Sequence, residues 1–294
     1  MLKWIWSVGV NVLSRIWNTV KTFFSLHYCP SRVAKVLLAI VPFVLLLGTY
    51  IHFSNKRHEE NPRDKILPTI SQMYEQVKIY VVETDKRTDK NLFVDDTLAS
   101  LKRLLIGVSI ASVLSLIWGL SMGIYPWVRS TWMPFVTFVS IIPPLAILPI
   151  IFIGLGVEEL GKISLIVLGI TFLMTRDLKI AVENIPREQI VKALTLGASS
   201  WAIVYRIIFP QVMPRFIEMI RVYLSPAWLF LIAAEAIASK NGLAYRIFLS
   251  RRYLNMSLII PIVFWITSIG FLMNFILKKI LDWKYRWYVD IKNG

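Results

Sequence analysis

The stretch that decides the fold of this chain is Ala193-Leu-Thr-Leu-Gly197-Ala-Ser199, with Phe209-Pro210 and Pro214 behind it. It belongs to segment 184–215, a polar run with several Gly and Pro residues that lies between long apolar runs. A membrane protein has little reason to place such a segment there unless another protein docks on it. We therefore expect a docking element at this position.

The first half of this segment predicts a short helix. Asn184 can cap it, and Pro186 fits its first turn, where a missing N–H is harmless. Gly197 ends it, because glycine tolerates the left-handed conformation that terminates helices.

The second half predicts another helix at an angle to the first. Ser199 or Ser200 can begin it, and the pattern continues through Phe209. Pro210 and Pro214 are expected to end it and to open the next apolar run. The product is a compact, rigid elbow, which suits the transmission of a push between two proteins.

The composition identifies a membrane protein with several spans. The 294 residues are 56% hydrophobic and 17% charged, against roughly 25% charged in a soluble domain, and the mean hydropathy is +0.61. Several apolar runs are long enough to cross the hydrocarbon core as helices. The single cysteine, Cys29, excludes an internal disulfide, and the three histidines show no metal-binding spacing.

The distribution of charge predicts the orientation. Residues 1–53 carry five basic side chains and no acid, whereas residues 54–96 carry eight basic and nine acidic ones. Because cationic segments prefer the cytoplasmic side, we expect both termini inside and segment 54–96 outside. The basic residues flank apolar spans, so the net charge of +15 does not indicate a nucleic-acid partner.

The apolar runs predict an all-α protein with six transmembrane helices, at about 33–53, 104–125, 132–155, 160–176, 216–238 and 258–281. An amphipathic helix over 1–32 is expected to lie on the inner leaflet. The extracytoplasmic segment 54–96 should contain a short helix, Ile66–Val82, and Asp95 or Asp96 should cap a helix beginning near Thr97. Residues 97–287 then form the core and 288–294 a cytoplasmic tail.

At this point the chain resembles a known family. The run Lys192–Trp201 followed by Ile207–Pro214 is similar to the EAA loop of permeases from nitrate/sulfonate/taurine/bicarbonate-type ABC importers. The resemblance extends from about Leu98 to Trp287 and includes further motifs: Ser100–Arg103, Ile141–Ala146 with Leu148-Pro149, Phe152–Gly156, Ala227-Trp228, Ala233–Glu235 and Asn241–Leu243. Together these motifs are specific, although each alone is weak.

The resemblance implies a type I importer permease in a bacterial inner membrane. Two copies would form the pathway, two cytoplasmic ATPase subunits would grip the elbows, and an extracytoplasmic binding protein would deliver the solute. ATP and Mg would then belong to the ATPase, and this chain would not be an enzyme. The residues expected to contact the ATPase are Arg187, Ile190, Lys192, Ala193, Leu194, Gly197, Ala198 and Pro210. Val191-Lys192 departs from the usual Glu-Ala of the loop, which leaves the partner ATPase open.

Five residues are candidates for the translocation path or its gate: Pro143, Pro144, Pro149, Trp228 and Glu235. The prolines sit inside a predicted span, where they either line a cavity or form a packing kink. Glu235 is the only acid within the run Leu229–Ala238. It pairs with a basic residue of the outer loop, lies at the gate, or forms a structural ion pair or hydrogen bond that holds spans together.

The predicted outer loop 239–257 is basic, against the positive-inside rule. Its Lys240, Arg246, Arg251 and Arg252 have no acid among them. A cationic mouth would concentrate an anionic solute. The alternatives are docking of an acidic binding protein or contact with lipid headgroups. Arg246, Arg251 and Arg252 are the candidates for contact with the solute or with the binding protein.

Other function classes find less support. The run Gly156–Lys162 nearly matches a phosphate-binding loop, but Ile163 stands where Ser or Thr is required. No catalytic constellation and no metal site is visible in the sequence. An ion-coupled carrier or channel would need no elbow, and a membrane-bound assembly factor would use the elbow for a different partner.

Overall fold

The computed structural model describes residues 31–62, 64–84 and 91–293. The predicted amphipathic helix 1–32 lies almost wholly outside the described residues. The chain divides into two compact units, Met1–Asp64 and Lys65–Gly294, and no β-strand forms within the described ranges.

The first unit contains one long helix, α1 (Arg32–Glu60). The Ser31 side chain begins it by accepting a hydrogen bond from the Ala34 N–H at 3.3 Å, and Arg57 near its end forms an ion pair with Asp64. The helix continues about two turns beyond the predicted span 33–53. Its apolar side chains are exposed, which fits a surrounding of lipid or of other protein.

The second unit starts with α2 (Ile70–Val82) and α3 (Leu92–Ile124). Helix α2 begins at a capping box, in which the side chains and backbones of Thr69 and Gln72 exchange hydrogen bonds, so the predicted start at Ile66 is wrong by one turn. Helix α3 is capped by Asn91, whose side chain accepts from the Val94 N–H at 3.1 Å. The predicted cap at Asp95 or Asp96 is therefore wrong, because both lie inside the helix.

Two shorter helices replace the single span predicted at 132–155. Helix α4 (Pro126–Ile141) stops before Pro143-Pro144, and helix α5 (Leu148–Leu155) carries Pro149 in its first turn. Two consecutive residues without N–H groups cannot continue the helical ladder. The prolines therefore break the span completely instead of kinking it.

The core of this unit is built around α6 (Glu159–Glu183). Glycines let its neighbours approach closely, as is common between membrane helices. A Cβ on Gly123 of α3 would lie 2.5 Å from the Val182 Cβ, and a Cβ on Gly169 would overlap the Phe230 ring. Phe230 belongs to the helix that follows the elbow, so α6 is held on both sides.

The elbow comprises α7 (Arg187–Thr195), α8 (Ser200–Ile203) and a π-helical turn (Val204–Ile208) that leads into α9 (Phe209–Ala238). The predicted stop at Pro210 is wrong, because α8, the π turn and α9 form one continuous helix. The Phe209 N–H donates to the Val204 carbonyl, five residues back. This wider turn accommodates Pro210, which has no N–H and whose ring would crowd the carbonyl four residues earlier.

The chain ends with α10 (Leu243–Arg252), α11 (Met256–Lys284) and α12 (Arg286–Asn293). The predicted outer loop 239–257 is thus largely helical. Four helical stretches of the described chain are long and apolar enough to cross a membrane: Val33–Glu60, Leu92–Ile124, Ser200–Ile237 and Met256–Lys284. The protein is an all-helical polytopic membrane protein, as predicted.

Candidate functional site

The elbow is a rigid turn held by its own backbone. The Ala198 N–H donates to the Ala193 carbonyl at 3.0 Å, and the Gly197 N–H donates to the Leu194 carbonyl at 2.9 Å. This is a Schellman motif, and Gly197 supplies its left-handed residue with φ of 80°. The Ser199 side chain then accepts from the Ala202 N–H at 3.2 Å and starts α8. The predicted roles of Gly197 and Ser199 in the turn are confirmed, whereas Asn184 ends α6 instead of capping α7.

The inner face of the elbow is packed against the rest of the unit. Ile190, Ala193 and Ala198 are half-buried against the hydrophobic core. The Gln211 amide of α9 donates to the Gln189 side chain of α7 at 2.8 Å. The elbow is therefore attached to the membrane helices by apolar packing and by a side-chain hydrogen bond.

The outer face of the elbow exposes large apolar side chains. Leu196 is 87% exposed, Trp201 77% and Tyr205 74%, and Val191 and Leu194 are also exposed. Of the predicted ATPase contacts, Arg187, Lys192, Leu194, Gly197 and Pro210 are at the surface, whereas Ile190, Ala193 and Ala198 lie beneath it. An exposed apolar patch on a rigid element is typical of a protein docking site.

Arg129 of α4 ties the ends of α3 and α6 together next to the elbow, and sequence reasoning missed this role. Its Nε and Nη2 donate to the carbonyls of Met122 and Gly123 at 3.1 Å each, near the end of α3. Its Nη1 lies 2.6 Å from Glu183. A cation at the last carbonyls of a helix is favourable because it offsets the helix dipole. Arg129 also lines a cleft of about 480 Å³ between the elbow, α3 and α6.

A buried charge network lies at the opposite end of α9. The Arg103 Nη1 of α3 lies 2.7 Å from the Glu235 carboxylate, and the residues are 2% and 1% exposed. Glu235 also accepts from the Ser100 hydroxyl at 2.8 Å and from the Ala244 N–H at 3.1 Å. Of the alternatives for Glu235, the structure contains the ion pair between helices. The partner is Arg103, not a residue of the predicted outer loop.

Arg103 connects this pair to two further elements. Its Nε and Nη2 donate to the two carboxylate oxygens of Glu159 at 2.7 Å, at the start of α6. Nη1 and Nη2 also donate to the backbone and side-chain oxygens of Asn241 at 3.0 and 2.7 Å. One guanidinium thus ties α3, α6, α9 and the loop before α10. The Lys162 ammonium, also buried, lies 3.6 Å from Glu159.

Gly242 explains why the Asn241–Leu243 motif needs a glycine. Its φ is 124°, and a Cβ there would lie 2.5 Å from the Glu235 Oε2. Its N–H donates to the Asp96 carboxylate at 2.8 Å. Only glycine satisfies both the conformation and the contact.

Asp96 is a second buried acid that sequence reasoning misassigned. It accepts from the Arg246 Nε at 2.8 Å and from the Tyr80 hydroxyl at 2.7 Å. Burial, with the neighbouring Asp96 charge and hydrogen bond, raises the pKa of the Tyr80 phenol above its ordinary value. Arg246 therefore forms a structural ion pair with Asp96, whereas Arg251 and Arg252 are exposed near the end of α10.

The remaining path candidates lie apart from this network. Pro143 and Pro149 are exposed around the break between α4 and α5. Trp228 is buried in α9, and its indole N–H has no hydrogen-bond partner among the described residues. Gly270 of α11 faces it, since a Cβ there would lie 3.5 Å from the Trp228 Nε1.

This chain is similar in sequence or in fold to several known proteins. A probable ABC transporter permease protein of Brucella abortus (strain 2308) is 32% identical over 197 residues, which cover 66% of this chain and 79% of the relative. The taurine transport system permease protein of Escherichia coli (strain K12) is 29% identical over 205 residues, covering 68% and 74%. Among solved structures, an inward-facing form of the MetNI methionine ABC transporter matches with a TM-score of 0.58 at 17% identity, covering 65% of this chain and 94% of that one.

The family assignment rests on a region that includes the elbow, Glu235 and α10 but begins after Asp96 and Arg103. The model of the family described as "Binding-protein-dependent transport system inner membrane component" matches residues 111–288. The predicted resemblance and the predicted permease fold are confirmed. This chain belongs to that family and is a permease subunit of an ABC importer.

Proposed function

We propose that two copies of this chain form the path for a small anionic solute, with a separate ATPase supplying the energy. ATP and Mg bind to the ATPase, which docks on the elbow, and an extracytoplasmic binding protein delivers the solute. Both termini and the elbow lie on the cytoplasmic side of a bacterial inner membrane. An ion-coupled carrier is less well supported, because its mechanism gives no use to the elbow.

The exposed apolar face of the elbow carries this proposal. Leu196, Trp201 and Tyr205 stand on a turn that is fixed by the Schellman motif and by Ser199. A flexible loop would absorb a displacement by changing its own conformation, whereas short capped helices are rigid and transmit the displacement. The continuous helix from Ser200 to Ile237 leads from this face to Glu235. Movement at the elbow would therefore reach the opposite end of the permease.

The opposite end supplies the proposed gate and docking residues. The network around Arg103 and Glu235 holds the end of α9 and the start of α10, so these elements would move as one. The break at Pro143-Pro144 provides backbone free of helical hydrogen bonds that can line a cavity. Arg251 and Arg252 remain free to meet a binding protein or an anion.

The choice of an anionic solute has two supports. Lys240, Arg251 and Arg252 are exposed cations in the predicted extracytoplasmic region, where they would raise the local anion concentration. The Escherichia coli relative is a taurine permease by name, and taurine carries a sulfonate. A sulfonate is accordingly the first solute to test.

Co-purification with the ATPase tests the docking site. The chain is expressed with an ABC ATPase encoded beside it, and the permease is captured through a tag. We expect Leu196→Asp to abolish recovery of the ATPase, because a charge would be buried in the contact. Trp283→Asp changes another highly exposed side chain, at the end of α11, and should leave recovery unchanged. Equal recovery with Leu196→Asp and wild type would refute docking at this face.

A further inference from the structure

A polar cleft of about 700 Å³ lies between the elbow end of α6 and the facing parts of α9 and α11. Its polar lining comprises Asp177, Asn184, Arg215, Glu218, Arg221, Tyr223 and Asn274. The sequence motifs did not identify it, and the docking and gating residues described above lie elsewhere. Asn184 ends α6 just before the elbow begins, so the cleft adjoins the elbow.

Arg221 is the distinctive residue of this cleft. Its Nε donates to the Asn274 side-chain oxygen of α11 at 2.8 Å, which fixes the plane of the guanidinium. Among the described residues, Nη1 and Nη2 have no acceptor, and no carboxylate lies within ion-pair distance. Arg221 is half-buried, and its two terminal nitrogens are available to a ligand.

The carboxylates of the cleft already have donors. Glu218 accepts from the Arg215 Nη1 at 3.1 Å and from the Tyr288 hydroxyl at 2.9 Å. Asp177 accepts from the Tyr223 hydroxyl at 2.8 Å. Both acids are therefore bound by other side chains. Arg221 is a cation of the cleft lining that has no acidic partner in the described chain.

Arg221 lies near the elbow-side end of the membrane-spanning part of α9. It precedes Ala238, at the far end of α9, by 17 positions, which corresponds to about 26 Å at 1.5 Å per residue. The hydrocarbon core is about 30 Å thick, so with Ala238 at one boundary Arg221 lies just inside the other. An arginine this close to the boundary reaches the interface with its long side chain, so its guanidinium is accessible to an anion that enters the cleft.

We propose that Arg221, oriented by Asn274, binds a small oxyanion in this cleft. Two parallel N–H groups of a guanidinium match two oxygens of a sulfonate, sulfate or phosphate group. This inference rests on the proposed function where it takes the oxyanion to be the transported solute. An anionic solute that leaves the path would pass the inner mouth beside the elbow. An anionic lipid headgroup offers the same chemistry, and the experiment separates the two sources.

The experiment measures binding without transport. The full-length permease is purified free of anionic lipid, and its thermal unfolding is followed as ethanesulfonate is added at constant ionic strength. Binding to the folded state raises the midpoint in proportion to ln(1 + [L]/Kd). We expect Arg221→Gln to weaken the apparent Kd about tenfold to a hundredfold, the usual effect of losing charge-assisted hydrogen bonds. The Kd of Arg221→Lys should lie between those of wild type and Arg221→Gln, because lysine keeps the charge but cannot donate two parallel hydrogen bonds.

Lys278→Gln is the matched control. Lys278 lies one turn beyond Asn274 on α11, is exposed, and does not line the cleft. The Lys278→Gln substitution also removes one positive charge, and it should change the Kd for ethanesulfonate less than twofold. An equal Kd for wild type and Arg221→Gln, or no binding of ethanesulfonate to wild type, would overturn the proposal.

A second titration identifies the source of the oxyanion. The permease is placed in nanodiscs of phosphatidylcholine, with or without phosphatidylglycerol. If the site belongs to the solute, ethanesulfonate binds equally in both. If phosphatidylglycerol weakens ethanesulfonate binding to wild type but not to Arg221→Gln, the headgroup occupies the same site. Failure of the proposed function would appear separately, as ethanesulfonate binding without ATP-driven uptake by the assembled complex.

Discussion

Replacing Arg103 by methionine should destabilise the permease more than any other single change in the charge network. Glu235 is 1% exposed, and without Arg103 its carboxylate keeps the Ser100 hydroxyl and the Ala244 N–H. Removing one member of a buried ion pair costs about 3–5 kcal/mol, because the other charge stays buried without compensation. We expect a loss in this range in the free energy of unfolding.

The reverse change should cost less. Glu235→Gln leaves Arg103 with both carboxylate oxygens of Glu159 at 2.7 Å and with two oxygens of Asn241. The free energy of unfolding should then fall by the value of one charge-assisted hydrogen bond, about 1.5–3 kcal/mol. The double variant Arg103→Met with Glu235→Gln should lose less than the sum of the two single changes, because no buried charge is left unpaired.

The assay is reversible unfolding of the purified protein in mixed micelles with increasing sodium dodecyl sulfate. Lys102→Met is the control, because Lys102 is the exposed neighbour of Arg103 on α3 and its loss should change stability by less than about 0.5 kcal/mol. Additive losses in the double variant, or a greater cost for Glu235→Gln than for Arg103→Met, would refute this reasoning.

Three further predictions concern Gly242 and Tyr80 of the charge network and Gly197 of the elbow. Gly242→Ala should lower the thermal midpoint and the uptake rate, because its Cβ would lie 2.5 Å from the Glu235 Oε2 at a φ of 124°; a permease with an unchanged midpoint would contradict the close contact. Gly197→Trp should reduce recovery of the ATPase, because a bulky residue at φ of 80° disrupts the elbow; undiminished recovery in the pull-down would count against it. Tyr80 has a raised pKa in the folded protein, so its contribution is complete below about pH 10, its unfolded pKa, and is lost as the pH rises above it. The difference in midpoint between wild type and Tyr80→Phe should therefore shrink above pH 10, and a constant difference up to pH 11.5 would contradict it.

Local sequence signals predicted the turn of the elbow at Gly197 and Ser199, but not the start of its first helix, because Asn184 ends α6 instead. Gly197 and Ser199 act through contacts within a few residues, so their effects can be read from a short window. The prediction that Pro210 ends a helix is wrong, because the preceding turn is wider and leaves room for the proline ring. The π turn that makes Pro210 acceptable has no signature in the local pattern.

The charge network depended on contacts that no local pattern contains. Arg103 and Glu235 are 132 residues apart in the chain, and Asp96 and Arg246 are 150 apart. Glu235 was recognised as unusual because an acid in an apolar run is rare. Its partner Arg103 could not be recognised, since a basic residue just before a predicted span also fits a position at the membrane interface. The prediction of Asp96 as a cap is wrong because Asp96 is buried against Tyr80 and Arg246, which lie on other elements and leave no local signal.

ATP-driven uptake by the reconstituted complex tests the central claim most directly. Proteoliposomes containing the permease, its ATPase and its binding protein are supplied with radiolabelled taurine and with ATP on the side of the elbow. We predict accumulation against a gradient that requires ATP and the ATPase, and none with the permease alone. Uphill accumulation by the permease without the ATPase would contradict the account.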